Sequence, residues 1–119
     1  MKTSVAMWTV LLVATLAQTP DPSQWPVPKE RAVELYTANC QACHGPGGKG
    51  SPLMKGSAFI KRQWKHGTRQ QDLVNTITDG VPGTMMLPFK DKLQPDEIAA
   101  LAMLVRSFDK AVKPAGVKK

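Results

Sequence analysis

The chain has 119 residues, 42% of them hydrophobic, with sixteen Lys and Arg against nine Asp and Glu, giving a formal charge of +7. That length allows one domain with a modest core, and the charge favours an acidic partner surface. The lysines are spread through loops and the C-terminal tail with no nucleic-acid motif among them, which argues against nucleic acid as that partner.

Residues 1–17 have the layout of a secretory signal: Lys2 supplies a positive start, Val5 to Ala17 is apolar, and Thr15-Leu16-Ala17 offers small residues for cleavage. The run falls short of the roughly 20 apolar residues that span a bilayer. Cleavage rather than stable membrane insertion is therefore expected, with residues 18–119 remaining. Residues 18–28 contain Pro20, Pro22, Pro26 and Pro28 and read as an extended lead-in, with Trp25 as a packing anchor.

A helix is expected from Lys29 to Cys43, with Ala32, Val33, Leu35 and Tyr36 among its packing residues. It delivers the run Cys40-Gln41-Ala42-Cys43-His44. On a helix the two cysteines share a face, and His44 follows Cys40 by four positions, so all three side chains can converge on one flat group. This spacing is the attachment signature of c-type haem: two thiols add to the vinyl groups, and the adjacent imidazole reaches the iron. Three other readings of the cysteines compete. A thioredoxin-like redox pair would sit at the start of a helix after a strand, and the residues before Cys40 read as helix. A structural zinc site needs four ligands, and only Cys40, Cys43, His44 and His66 are on offer, with His44 adjacent to Cys43. A plain disulfide would leave His44 unexplained.

Gly45, Pro46, Gly47, Gly48 and Gly50 end the helix and let backbone approach a bulky ligand; no phosphate loop is present, because Gly48-Lys49 is followed by Gly50. A basic, irregular stretch carries Lys55, Lys61, Arg62, Trp64, Lys65 and His66. Thr68 and Gln71 have capping-box spacing, and a short helix is expected over about Arg69 to Asp79, closed by Gly80. Val81 to Phe89 is punctuated by Pro82, Gly83 and Pro88 and reads as a loop displaying Met85 and Met86. Gln94-Pro95-Asp96-Glu97 starts a last helix, with Ile98, Leu101, Ala102, Leu104, Val105 and Phe108 as its buried stripe. Met54 and Met103 read as packing. The domain is expected over 29–110, with 111–119 as a Lys-rich tail and no convincing strand.

At this point the chain resembles the class I c-type cytochromes, small monohaem bacterial electron carriers, over about residues 29–108. The resemblance rests on Cys40-Gln41-Ala42-Cys43-His44-Gly45 and on Asp79-Gly80-Val81-Pro82-Gly83-Thr84-Met85-Met86-Leu87-Pro88-Phe89. It implies an all-α cytochrome c fold of three to five helices around one haem, attached through Cys40 and Cys43, with His44 and Met86 on the iron. Met85 is the neighbouring alternative to Met86, and His66 the alternative of another chemical type. The resemblance also puts Pro52 and Leu53 in the loop that shields the proximal side. A backbone carbonyl of that loop accepts from the His44 ring, although the family's Gly-Pro opening reads Gly50-Ser51 here. Trp64 falls where a donor to a haem propionate often stands, and Tyr36 is expected to cross the last helix against aliphatic Leu104.

The function implied is outer-sphere electron transfer by a monomeric periplasmic carrier rather than catalysis. Lys49, Lys55, Lys65, Lys90 and Lys92 are candidates to ring an exposed haem edge and steer an acidic redox protein. The other classes are a haem enzyme or gas sensor with an open sixth position, and an accessory cytochrome of a dehydrogenase or terminal oxidase.

Overall fold

The computed structural model describes residues 24–54, 56–60 and 64–109. The signal-like segment, most of the Pro-rich lead-in, Lys55, Lys61, Arg62 and the Lys-rich tail lie outside the described residues. Among the described residues there are four α-helices: α1 (Lys29–Asn39), α2 (Gln41–His44), α3 (Gln70–Asp79) and α4 (Pro95–Phe108). A 3₁₀ turn at Pro46–Gly48 and an isolated bridge between Ser51 and Met54 complete the regular structure there.

Helix α4 is the element the others pack on, with α1 and α3 both lying against it. Its sequence explains why. Ile98, Ala100, Leu101, Ala102, Leu104 and Val105 are all buried, a stripe too wide for one neighbour to cover. Ala100 and Ala102 are fully buried, as is Ala32 of α1, and such small side chains let backbones come close. Pro95 occupies the first turn, where its missing N–H costs nothing, and the Glu97 carboxylate accepts the Gln94 backbone N–H at 2.9 Å. The start of α4 is also tied to α1 by the Arg31 guanidinium, 3.1 Å from Glu97.

Two helix boundaries differ from expectation. The expected Lys29–Cys43 helix breaks at Cys40, where φ is −121° and ψ −36°, before α2 begins. Thr37 and Asn39 explain the weakening: Oγ1 of Thr37 donates to the Val33 carbonyl and Nδ2 of Asn39 to the Leu35 carbonyl, bonding that competes with continuing helix. The second difference is at α3, whose first turn is tied by Arg69 and Asp72 rather than by Thr68 and Gln71. Asp72 accepts the Arg69 backbone N–H at 3.1 Å and its guanidinium at 3.0 and 2.9 Å. A carboxylate three residues into the helix is the stronger acceptor for that free N–H, so it displaces the amide alternative.

The loops are fastened to this frame. Nε2 of Gln70 donates to the Ala99 carbonyl at 2.8 Å, and Nε of Arg106 to the Thr68 carbonyl at 2.7 Å, so the entry to α3 rests on α4. Trp25 packs against the core from the lead-in. Tyr36 meets Phe108 edge-on, with ring centroids 5.0 Å apart at 74°. Besides sharing the core with Leu104, Tyr36 thus has an aromatic neighbour one turn further along α4.

Candidate haem-binding site

The site is built where α2 ends. Gly45 follows His44 with φ at +75°, a left-handed conformation in which a Cβ would drive into the Gly50 carbonyl. Only glycine permits this, and the chain turns back so that the Gly50 N–H donates to the His44 carbonyl at 2.7 Å. The Tyr36 hydroxyl donates to the Gly45 carbonyl at 2.7 Å, tying α1 to the same corner. Burial pushes the Tyr36 phenol up to about 12, so it remains a donor across the physiological range.

His44 is half-buried and held on two sides. Its Nδ1 lies 2.7 Å from the Ser57 carbonyl, and because a carbonyl only accepts, Nδ1 carries the proton and donates. Its ring stacks on Phe59 with centroids 4.3 Å apart at 21°, and Phe59 in turn leans on Trp64 at 5.6 Å. Burial lowers the His44 pKa, with the Ser57 carbonyl acting in the opposite direction. Burial thus favours the neutral imidazole, and with the proton on Nδ1 that form carries its lone pair on Nε2.

The carbonyl that meets His44 belongs to Ser57, in the same loop as Pro52 and Leu53. Both lie exposed in the turn between Ser51 and Met54. The Ser57 side chain organises that turn: Oγ donates to the Met54 carbonyl at 2.7 Å and accepts the Ser51 N–H at 3.3 Å. Neither Ser57 nor Phe59 had been singled out from the sequence. A backbone acceptor has no signature, since every residue carries one.

The cysteines differ in setting, Cys40 half-buried and Cys43 exposed, and neither is in a disulfide. Burial pushes the Cys40 thiol up to about 11, the direction opposite to the lowered pKa of a thioredoxin-like nucleophile. Among the described residues no group of three or more His, Cys, Asp and Glu is placed to hold a metal ion, so the cysteines are not part of a zinc cluster there.

On the other loop, Met85 and Met86 part company. Met86 packs against the core, whereas Met85 is 76% exposed. His66 is exposed in the turn after Trp64. The loop is held to α3 by the Phe89 N–H on the Ile77 carbonyl at 3.1 Å and the Lys90 N–H on the Thr78 carbonyl at 3.3 Å.

These residues fit a haem. A neutral imidazole offers a free Nε2, a soft thioether is tucked against the core, and two thiols lie just before the imidazole. One further atom is informative: the buried Nε1–H of Trp64 has no partner among the described residues. A buried indole N–H ordinarily finds an acceptor, and a carboxylate arriving with a bound group is one.

Residues 28–105 match the family described as cytochrome C oxidase, cbb3-type, subunit III. The chain is 35% identical over 75 residues to a cbb3-type cytochrome c oxidase subunit FixP of Bradyrhizobium diazoefficiens, covering 63% of this chain and 26% of that protein. A FixP of Azorhizobium caulinodans is 34% identical over 87 residues, covering 73% and 29% respectively. The chain thus spans less than a third of the length of these curated relatives. Among solved structures, the KustC0563 c-type cytochrome is similar with a TM-score of 0.58 at 36% identity, over 66% of this chain and 98% of that one. A Kuenenia stuttgartiensis reducing HAO-like protein complex, Kustc0457/Kustc0458, gives 0.63 at 27% identity, over 78% and 50%. This chain belongs to the cbb3-type subunit III family, and is a class I cytochrome c domain with the all-α cytochrome c fold and covalent haem c.

Proposed function

We propose that the chain is an electron-transfer domain in which Cys40 and Cys43 would hold the haem covalently and His44 Nε2 and the Met86 thioether would ligate its iron. The observation that carries this reading is the Nδ1–H of His44 donating to the Ser57 carbonyl, which fixes the tautomer and aims a lone pair from Nε2. Bound there, the haem supplies a one-electron Fe(II)/Fe(III) couple. The protein supplies the surroundings. A neutral, soft sulfur from Met86 favours the ferrous state, and occupation of both axial positions keeps small molecules off the iron. The buried Nε1–H of Trp64 would be available to donate to a haem propionate.

No step in this reading asks a side chain to move a proton. Lys49, Lys65, Lys90 and Lys92 are exposed and steer an acidic redox partner by attraction that salt weakens; Lys55 lies outside the described residues. Export through residues 1–17, a periplasmic location and a monomeric state belong to the same reading. Among the described residues no helix is long and apolar enough to cross a membrane.

The test is the visible spectrum of the matured holoprotein, oxidised and reduced, beside Met86→Ala and Met85→Ala. A weak long-wavelength sulfur-to-iron band lost only in Met86→Ala is expected. Absence of that band in the wild type, with rapid carbon monoxide binding, would move the reading to a ligand-binding or catalytic haem protein. A second reading is favoured by the family match and by relatives that are oxidase subunits: the domain serves as an electron-entry module within a larger oxidase-like assembly. Copurification of a stoichiometric partner distinguishes that case from a free carrier.

A further inference from the structure

The Met86 backbone is held at both of its polar groups, and one of the two holds is a side chain. Its carbonyl accepts the Val81 N–H at 2.9 Å. Its N–H donates to Oγ1 of Thr84 at 3.1 Å, and that same hydroxyl donates to the Val81 carbonyl at 2.7 Å. The Thr84 N–H also reaches the Val81 carbonyl, at 3.2 Å. One hydroxyl therefore closes the 81–86 turn into a ring. It does so beside the backbone bond from the Val81 N–H to the Met86 carbonyl, and Pro82, Gly83, Thr84 and Met85 are all exposed, so these bonds carry most of the turn's definition.

We infer that Thr84 is a positioning residue for the distal ligand: by bridging Val81 O and Met86 N, its hydroxyl sets where the Met86 sulfur stands and how readily that sulfur is displaced. This rests on the reading of Met86 as the axial ligand. A β-branched threonine suits the task, since its restricted χ1 holds Oγ1 over its own turn instead of letting it rotate into water. Met85, between the two bonded residues, is turned outwards, so the ring also selects which of the adjacent methionines faces the core.

The experiment compares wild type, Thr84→Val, Thr84→Ser and Met86→Ala as mature holoproteins. It reads the long-wavelength sulfur-to-iron band and the binding of imidazole to the oxidised protein, which must displace the methionine. Valine keeps shape and branching and removes only the hydroxyl. Loss of one hydrogen bond on the Met86 backbone is expected to weaken the band and tighten imidazole binding roughly five- to tenfold, with Thr84→Ser restoring wild-type behaviour. Thr84→Val with unchanged band and imidazole affinity, while Met86→Ala loses the band, overturns the role of Thr84 alone. Retention of the band in Met86→Ala overturns the ligand assignment, and the inference falls with it. Hydrogen exchange of the wild-type protein gives a check that needs no variant: the Met86 amide is expected to be protected, and a freely exchanging amide overturns the proposal.

Discussion

The loop that holds His44 and the loop that carries Met86 are built on different plans. The proximal loop, from Gly45 to Phe59, is fastened at many points to several elements: Gly50 N–H to His44, Phe59 N–H to Gly48, Ser57 to His44, Tyr36 to Gly45, and Phe59 stacked on the imidazole. The distal loop, from Gly80 to Phe89, is clasped mainly on itself and joined to α3 near its far end. Removing one restraint from the first leaves several others, whereas in the second each bond carries a larger share. On the proposed ligation, the imidazole is the fixed ligand and the thioether the adjustable one.

The largest effect that would test this contrast comes from paired glycine substitutions. At Gly45, where φ is +75° and the Gly50 carbonyl fills the space, Gly45→Ala is expected to cost about 3 kcal/mol or more in chemical denaturation, combining left-handed strain with overpacking. At Gly83, where φ is +76° but nothing lies within 4 Å, Gly83→Ala is expected to cost only about 1 kcal/mol. Equal costs would remove the distinction between a crowded proximal corner and an open distal one.

Next in size is the fate of the two methionines. Met86→Ala is expected to leave a folded protein that has lost the sulfur-to-iron band and binds carbon monoxide, while Met85→Ala is spectroscopically silent because that side chain is exposed. Trp64→Phe is a smaller change. It keeps a ring beside Phe59 and removes the one N–H, so the holoprotein is expected to lose about 1 kcal/mol of stability and to shift its reduction potential while remaining low-spin. An unchanged potential would take Trp64 out of propionate binding.

The smallest effect lies in the frame and not in the loops. The Gln94 backbone N–H, and then Arg31, hold the Glu97 carboxyl below its ordinary 4.5, and the Arg69 guanidinium holds Asp72 below its ordinary 3.8. Both folded values are depressed, so their contribution is fully present above the ordinary values and is lost as pH falls through the folded ones. A modest decline in the denaturation midpoint below about pH 4.5 is expected, flattened in Glu97→Gln. Because their partners Arg31 and Arg69 are exposed, the decline should also shrink in high salt.

What could be read from the sequence was what is encoded locally. Cys40 to His44 carry their meaning in their spacing, Pro95 marks the start of α4 within a residue, and the stripe from Ile98 to Val105 is visible as a period. The order of helices and loops followed from these. Contacts between distant backbone groups were not legible. Nothing about Ser57 marks its carbonyl as the one that meets His44, and Pro52, in the right stretch, turned out to lie exposed in the turn that Ser57 closes. The break at Cys40 was missed for a related reason, since helical period alone does not register the back-bonding of Thr37 and Asn39. The Tyr36–Phe108 ring contact was not legible either, because a crossing point depends on how two helices are rotated, a quantity set by the whole core.

Gly48 gives the proximal plan one more consequence. A Cβ there would come 2.8 Å from the Phe108 ring and 3.0 Å from that of Phe59, so the glycine is the thin spacer between two aromatics. Through it the row Trp64, Phe59 and His44 is braced against Phe108 and Tyr36 on the helical frame. A ligand braced in this way has little room to change position when the iron changes charge. On the proposed ligation, its share of the nuclear reorganisation that accompanies each electron is expected to be small.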